Sequence, residues 1–147
     1  MVLNQERISQ QLAACQIGHT LAYYQSIPST MPIAQQLAAD PRVRSGAIVV
    51  AEEQTAGRGR RQRRWETPAG QALLMSFIFK APLRVAPMHF PMVAGVALRQ
   101  GIATYLPALA PYLGLKWPND LLLGLDMSSA GKVGGILIES VYHGAEA

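Results

Sequence analysis

The chain is poor in the residues that form disulfides and metal sites. Cys15 is its single cysteine, and its three histidines, His19, His89 and His143, are scattered along the sequence. One cysteine cannot form an intramolecular disulfide, and neither residue type recurs at the spacing of a zinc site. These absences exclude a disulfide framework and a cysteine-only zinc site, and they favour a reducing, cytoplasmic compartment.

Long apolar runs are also missing. A membrane-spanning helix needs about 20 consecutive apolar residues, whereas the stretch 93–109 is interrupted by Arg99, Gln100 and Pro107. The first fifteen residues contain Glu6 and Arg7 and lack the apolar core of a secretion signal. The sequence therefore predicts neither a membrane protein nor a secreted one.

Positive charge is concentrated in one short segment. The 147 residues carry a net charge of +4, and five arginines fall within the seven positions 58–64. Because the rest of the chain is about neutral, the basic character is local, whereas nucleic-acid-binding proteins usually present a basic face or stripe. The cluster predicts an anionic partner at one site, and a nucleic-acid-binding module remains an alternative.

The apolar pattern predicts an α+β fold with a mixed, mostly antiparallel sheet flanked by helices. Helices are predicted over 4–14, from a cap at Ser29 or Thr30 to Ala39, and over 88–106. Strands are predicted at 19–27, 46–53, 71–80, 113–118, 120–125 and 132–142. The continuous apolar run "GAIVVAEE" is typical of a buried central strand.

The arginine-rich loop 52–66 has the composition of an anion cradle. Gly57 and Gly59 permit positive φ and the close approach of a ligand to the backbone. Exposed N–H groups and guanidinium forks bind anions, and five like charges predict a segment that is mobile until an anion binds. Two familiar phosphate motifs do not fit. "GRGRRQ" lacks the third glycine of a dinucleotide loop, and "DMSSAGKV" lacks the upstream glycine of a nucleotide-binding P-loop.

The second informative segment is "LKWPNDLLLGLDMSSAGKVGGILIES". It places Lys116, Asn119 and Asp120 within five residues, at a turn that Pro118 creates. A structural interpretation pairs Lys116 with Asp120 and uses Asn119 to cap the turn. A functional interpretation uses the lysine to bind an anion.

Three segments, in order, resemble the catalytic domain of biotin–protein ligases, in the biotin/lipoate ligase family. They are "YYQSIPSTM", "AEEQTAGRGRRQRRW", which resembles the family's adenylate-binding loop G-R-G-R-x-x-R-x-W, and "KWPND" followed by "GKVGGILIES". The match covers roughly residues 20–140. It implies the fold of class II aminoacyl-tRNA synthetases and biotin ligases. It also implies activation of biotin by ATP and Mg²⁺ to biotinyl-5′-AMP, followed by transfer to a lysine of a biotin carboxyl carrier domain.

The resemblance also implies roles for individual residues. Lys116 and Arg60 would be catalytic, because fixed positive charge is needed where a carboxylate attacks an α-phosphate. The biotin-binding residues would be Ser29, Thr30, Met31, Gln54, Arg58, Gly59, Arg60, Lys116, Gly134 and Gly135. The ATP- or adenylate-binding residues would be Arg58, Arg60, Arg61, Arg63, Trp65, Asn119 and Lys132. Mg²⁺ would bind together with ATP, near Asn119 and Asp120. Protein side chains alone would not form a metal site.

The sequence departs from the family at several points. Met31 stands where many members have asparagine, and Gln62 replaces a common glycine.

The expected organisation is a helical lead-in over 1–19 and a catalytic domain over 20–147. From the resemblance, the chain is expected to lack the family's last strand, its C-terminal β-domain and an N-terminal helix-turn-helix. DNA binding is therefore not expected, and the open sheet edge is compatible with a homodimer.

Three other functions remain open on these residues. A lipoate or octanoate ligase-type transferase belongs to the same family but usually lacks the G-R-G-R…W pattern. A truncated ligand-binding protein or inactive paralogue is compatible with the missing strand. A nucleic-acid-binding module explains the arginines but leaves "KWPND" without a role.

Overall fold

The chain forms two compact units. The computed structural model describes residues 3–13, 15–83, 85–126 and 128–141. The first unit comprises Met1–Leu83 with Val141–Ala147, and the second comprises Arg84–Ser140.

The first unit is a three-stranded sheet with two helices. Its elements in chain order are α1 (Gln5–Leu12), β1 (Leu21–Ile27), α2 (Thr30–Ala39), β2 (Ile48–Gln54) and β3 (Leu74–Phe77). The sheet order is β1-β2-β3, with β1 parallel to β2 and β3 antiparallel to β2. The helix caps follow the sequence prediction, because Ser29 Oγ accepts a hydrogen bond from the Met31 N–H at the start of α2.

Strand β2 is the buried centre of this unit, as its continuous apolar run predicts. Its first five residues are all buried, and Val49 forms a core cluster with Ala34 of α2, Ala47 and Ile78. Burial on both faces explains why the run shows no polar alternation.

The second unit is an antiparallel sheet with one long helix. Its elements are α3 (Phe90–Tyr105), β4 (Leu113–Lys116), β5 (Asp120–Leu123) and β6 (Gly131–Gly135), with short 3₁₀ helices at Pro87–His89 and Pro107–Tyr112. The order is β4-β5-β6. Arg99 of α3 donates from Nε to the Leu113 carbonyl at 2.9 Å and from Nη2 to the Ala110 carbonyl at 3.3 Å, which ties α3 to the start of β4.

The predicted fold class is confirmed, with local differences. Three of the four strand pairings are antiparallel, but the described strands form two three-stranded sheets where the sequence predicts one. Strands β3 and β6 are shorter than the predicted 71–80 and 132–142, and the 3₁₀ helix Pro107–Tyr112 was not predicted. Alternating apolar residues identify a strand but not its hydrogen-bonding partner or its end. No helix of the described residues is both long and apolar enough to cross a bilayer.

Candidate functional site

The first group of predicted site residues lies at the carboxyl ends of the parallel strands β1 and β2. Beyond the ends of β1 and β2 the pairing continues, because the Thr55 N–H donates to the Ile27 carbonyl at 3.0 Å and the Ala56 N–H to the Pro28 carbonyl at 2.8 Å. The carboxyl ends of parallel strands are a common place for ligand sites. This pairing therefore places the start of α2 beside the start of the arginine-rich loop.

A polar cluster lies at this edge of the sheet. Gln54 Oε1 accepts hydrogen bonds from the Thr30 N–H at 2.7 Å and from Thr30 Oγ1 at 3.0 Å. Thr30 Oγ1 also lies 2.8 Å from Ser76 Oγ on β3. Ser29, Thr30 and Ser76 are buried. The structure thus joins the predicted residues Ser29, Thr30 and Gln54, and it adds Ser76, which the sequence analysis missed.

The first three positions of α2 offer no spare N–H donor for an anion. Its first N–H, of Thr30, is bound to Gln54, and its second, of Met31, is bound to Ser29. The third position is Pro32, which has no N–H. Two of the N–H groups that a helix N-terminus usually presents to phosphates are therefore already used here.

The arginine-rich segment forms a tight hairpin over residues 57–65, here called the arginine hairpin. The Gly59 N–H donates to the Arg63 carbonyl at 2.7 Å, the Trp65 N–H donates to the Gly57 carbonyl at 2.9 Å, and Arg58 pairs with Arg64 in an isolated bridge. The hairpin therefore has a defined backbone, with its open end at Gly57 and Trp65.

The positive φ angles of the hairpin occur at its tip and not at Gly59, although glycine permits them there. Positive φ occurs at Arg61 (56°) and Gln62 (60°) at the tip, while Gly59 has φ −114°. Gly57 is required for another reason, since a Cβ there would lie 2.5 Å from the Trp65 carbonyl oxygen and 3.3 Å from Gln54 Nε2. The family's usual glycine at position 62 would suit the conformation that Gln62 adopts here.

The guanidinium groups of the hairpin point to solvent. All five arginines are exposed, and Trp65 is half-buried. Arg64 forms an exposed ion pair with Glu66 at 2.8 Å, whereas Arg58 and Arg63 have no ion pair or hydrogen-bonded side-chain partner among the described residues. Strong positive charge therefore stands beside the polar cluster in the same unit.

Glu52 is a buried carboxylate that the sequence analysis did not single out. It is 7% exposed, and its Oε1 accepts hydrogen bonds from Tyr23 Oη at 2.9 Å and from the Leu3 N–H. Desolvation, and then the hydrogen bond to Glu52, raise the pKa of Tyr23 above its ordinary value. These partners satisfy Glu52 in a structural joint between β1, β2 and the N-terminal segment. The sequence signal that could have identified Glu52 is a charged residue within an apolar strand pattern.

In the second unit, Lys116 ends β4 beside a small groove. A cavity of about 170 Å³ is lined by one turn of α3 and by the turn after β4; its lining residues are Pro91, Met92, Gly95, Val96, Leu115, Lys116, Trp117, Pro118, Asn119 and Asp120. The Trp117–Pro118 peptide bond is cis. The Lys116 side chain is exposed and has no ion-pair or hydrogen-bond partner among the described residues. Because water can solvate this exposed ammonium, Lys116 does not need a carboxylate partner.

Asp120 pairs with a different lysine from the one that sequence proximity suggested. Lys132 Nζ lies 2.7 Å from Asp120 Oδ1, whereas Lys116 is only the register neighbour of Asp120 in the β4–β5 ladder. The pairing of Lys116 with Asp120 was therefore wrong. Antiparallel pairing of β5 with β6 brings Lys132 to Asp120 across 12 residues of sequence, and the motif alone could not reveal that contact.

Asn119 and the glycines of β6 are further predicted site residues of the second unit. Asn119 Nδ2 donates to the Ile136 carbonyl at 3.1 Å, and the Ile136 N–H donates to the Asn119 carbonyl at 2.9 Å. Asn119 thus holds the turn to the residue after β6. A Cβ at Gly134 would meet Leu121 Cβ at 3.4 Å, so Gly134 lets β6 pack closely on β5.

The predicted site residues fall into one group in each unit. The first unit holds Ser29, Thr30, Met31, Gln54 and the arginine hairpin, and the second holds Lys116, Asn119, Asp120, Lys132, Gly134 and Gly135. No cluster of three or more His, Cys, Asp or Glu side chains suited to a metal ion occurs among the described residues.

Comparison with known proteins gives a family match over most of the chain. The model of the biotin/lipoate A/B protein ligase family matches residues 23–147. The bifunctional ligase/repressor BirA of Bacillus spizizenii is 38% identical over 125 residues, which cover 84% of this chain and 35% of that relative. The biotin–[acetyl-CoA-carboxylase] ligase of Paracoccus denitrificans is 38% identical over 111 residues, covering 76% and 44%. The chain spans about a third to a half of the length of these relatives.

Solved structures of similar proteins share the fold. The biotin protein ligase of Leishmania major, in complex with biotinyl-5-AMP, superposes with a TM-score of 0.68 at 30% identity, covering 83% of this chain and 52% of that one. The biotin protein ligase of Aquifex aeolicus, in complex with biotin and ATP, gives a TM-score of 0.63 at 28% identity, covering 82% and 47%.

Proposed function

The chain belongs to the biotin/lipoate A/B protein ligase family, and we propose that it carries the biotin-activating chemistry of a biotin–protein ligase. A biotin carboxylate oxygen attacks the α-phosphorus of ATP, and pyrophosphate leaves. The amine of a carrier lysine then attacks the carbonyl of the biotinyl-5′-AMP anhydride, and AMP leaves. The observation that carries the proposal is the polar cluster of Thr30, Gln54 and Ser76, in which Thr30 and Ser76 are buried, at the base of the arginine hairpin.

The polar cluster suits the ureido ring of biotin. That ring is small, neutral and rich in donors and acceptors, so it needs a few fixed polar groups in an otherwise apolar site. Ser29, Thr30 and Gln54 supply them, with Met31 and the backbone of Arg58 and Gly59 as neighbours. Because the first N–H groups of α2 are already used, this end of the site favours a neutral polar group over a phosphate.

The arginine hairpin suits the charged part of the reaction. The carboxylate and the α-phosphate repel each other, so their approach needs fixed positive charge. We assign this role to Arg58, Arg60, Arg61 and Arg63, and we assign stacking on adenine to Trp65. The closed hairpin would also protect the anhydride from water.

We assign the remaining charge neutralisation to Lys116 and Lys132. Lys116 carries an exposed ammonium beside the 170 Å³ groove, and it has no ion-pair partner among the described residues, so it can bind an anion without breaking a described ion pair. Lys132 is held by Asp120 at 2.7 Å, so its ammonium is already oriented, and preorganised charge is the more effective kind in a transition state. Gly134 and Gly135 let β6 lie close to a ligand's aliphatic chain.

Further parts of the proposal concern the metal and the partners. The described residues fit Mg²⁺ only as a companion of ATP, because Asp120 is engaged by Lys132 and no cluster of three metal-ligating side chains surrounds it. When bound, Mg²⁺ neutralises charge on the phosphates, with Asn119 and Asp120 as the candidate protein contacts.

The proposed acceptor is a biotin carboxyl carrier domain. We also propose that the protein is cytoplasmic and that it forms a homodimer. We propose further that residues 20–147 form the catalytic domain.

The direct test of the function is formation of the adenylate. The protein, biotin, Mg²⁺ and ATP labelled at the α-phosphate should yield labelled biotinyl-AMP, and omission of biotin should abolish it. Lipoate and octanoate, tested in place of biotin, separate the two branches of the family. Absence of any adenylate, together with absence of calorimetric binding of biotin, would refute the proposal.

Arg60→Gly is expected to release biotinyl-AMP roughly tenfold faster or more, because it removes one charge-assisted contact to the phosphate. The measurement is the dissociation rate of preformed labelled adenylate. Arg64→Gly is the matched control, since it removes the same charge from the same hairpin, but its side chain pairs with Glu66 in solvent. Equal dissociation rates for the two variants would show that only the net charge matters.

A further inference from the structure

A buried serine that no motif includes completes the polar cluster. Ser76 Oγ on β3 lies 2.8 Å from Thr30 Oγ1, and the two residues are 8% and 4% exposed. Ser76 is directly opposite Val49 in the β2–β3 ladder. The central sheet of the first unit therefore fixes its position.

The hydrogen atoms of the cluster can be assigned from its chemistry. The Thr30 N–H can only donate, so the Gln54 atom 2.7 Å away must be the amide oxygen. The Thr30 hydroxyl faces the same oxygen at 3.0 Å and must also donate. The single hydroxyl hydrogen of Thr30 is then used, so the Ser76 hydroxyl must donate to Thr30 Oγ1. The hydrogen bonds therefore run in one direction, from Ser76 through Thr30 to Gln54.

This direction determines what Gln54 can offer to a ligand. Its oxygen accepts two hydrogen bonds from Thr30, so its NH₂ group is the end left for a ligand. A Cβ at Gly57 would lie only 3.3 Å from Gln54 Nε2, which places the NH₂ group at the base of the arginine hairpin. A ligand meets a donor there.

We propose that Ser76 is a positioning residue that, through Thr30, holds the Gln54 amide with its NH₂ group toward the ligand and so selects a ligand with a carbonyl-type acceptor at that point. The proposal rests on the proposed function, in which that ligand is biotin. Ser76 itself does not touch the ligand. Its hydroxyl fills the acceptor site of Thr30 Oγ1 and fixes the rotamer on which the Gln54 contact depends.

Ser76→Ala should weaken biotin binding roughly five- to tenfold, the usual effect of one lost hydrogen bond, and leave the KM for ATP unchanged. Biotin affinity is measured by calorimetry and folding by thermal unfolding. Ser26→Ala is the matched control, because Ser26 lies in the same sheet and donates to Glu53 at 2.6 Å, outside the cluster. An unchanged affinity in Ser76→Ala, or an equal loss in Ser26→Ala, would overturn the proposal.

A double-mutant cycle separates positioning from general destabilisation. In a Thr30→Val background the Ser76 hydroxyl has lost its acceptor, so adding Ser76→Ala should change biotin affinity less than twofold. If Ser76→Ala weakens binding by the same factor in both backgrounds, Ser76 does not act through Thr30, and the proposal is wrong.

A measurement without ligand keeps this inference distinct from the proposed function. Hydrogen exchange of the Thr30 amide reports its bond to Gln54 Oε1 and should become several-fold faster in Ser76→Ala. If the unmodified protein binds no biotin, the proposed function fails, and with it the ligand assignment. If binding is present but Thr30 exchange is unchanged in the variant, the positioning role of Ser76 fails alone.

Discussion

Alanine at Lys116 or at Lys132 is expected to lower the rate of biotinyl-adenylate formation by roughly 10²–10³-fold, the usual cost of removing one group that stabilises charge in a transition state. The two ammonium groups have different environments, since Lys116 is exposed and has no ion-pair partner within the part of the chain that the structure describes, whereas Lys132 is held by Asp120. Neither variant should unfold the protein, because an exposed lysine and a half-exposed ion pair contribute little to stability.

The measurement is single-turnover formation of labelled adenylate, with thermal unfolding to check the fold. The chain has a third lysine, Lys80, whose Nζ donates to the Asp40 carbonyl after α2 at 2.6 Å, and Lys80→Ala is the control that should retain the rate. A near-normal rate in Lys116→Ala would leave that lysine a structural role and assign the charge to Lys132. Near-normal rates in both variants would remove the lysines from the mechanism.

Gly57→Ala is expected to open the arginine hairpin. The new Cβ would lie 2.5 Å from the Trp65 carbonyl oxygen, and a backbone atom at that distance cannot move without breaking the hydrogen bond from the Trp65 N–H to the Gly57 carbonyl. We expect biotinyl-AMP to dissociate at least tenfold faster, since the arginines lose their common backbone support. In the unmodified protein, biotin with ATP should protect the hairpin from trypsin, and Gly57→Ala should abolish this protection.

Gly59→Ala provides the steric contrast within the same hairpin. The nearest atom to a Cβ at Gly59 is the Arg63 carbonyl oxygen at 3.6 Å, an ordinary contact, and its φ of −114° is accessible to alanine. Its tryptic pattern without ligand should match that of the unmodified protein, whereas Gly57→Ala should be cleaved faster. Identical cleavage of both variants would show that the close approach at Gly57 does not maintain the hairpin.

Much of the local structure could be predicted from the residues alone. The buried strand β2, the cap of α2 at Ser29 and the α+β class all follow from apolar periodicity and helix-capping chemistry, which act over a few neighbouring residues. The family also followed from the sequence, because the arginine segment and "KWPND" each have a distinctive local pattern, and the family match over residues 23–147 confirms it.

The differences from the sequence pattern share a physical cause. Glycine permits positive φ at positions 57 and 59, but in this loop positive φ occurs at Arg61 and Gln62 because the cross-hairpin hydrogen bonds place the tight turn there. The single predicted sheet is two sheets because strand partners are chosen by packing, which periodicity does not encode.

The sequence by itself determined which chemical groups this protein has and which of them are neighbours along the chain: guanidinium groups beside glycines, a lysine before a proline turn, and hydroxyls at a helix start. Only the tertiary structure decided which distant groups meet. Ser76 forms a hydrogen bond with Thr30, 46 residues away in the sequence. Asp120 forms its ion pair with Lys132 and not with Lys116. Hydrogen bonds and ion pairs act over about 3 Å, so strand register, and not sequence distance, selects their partners.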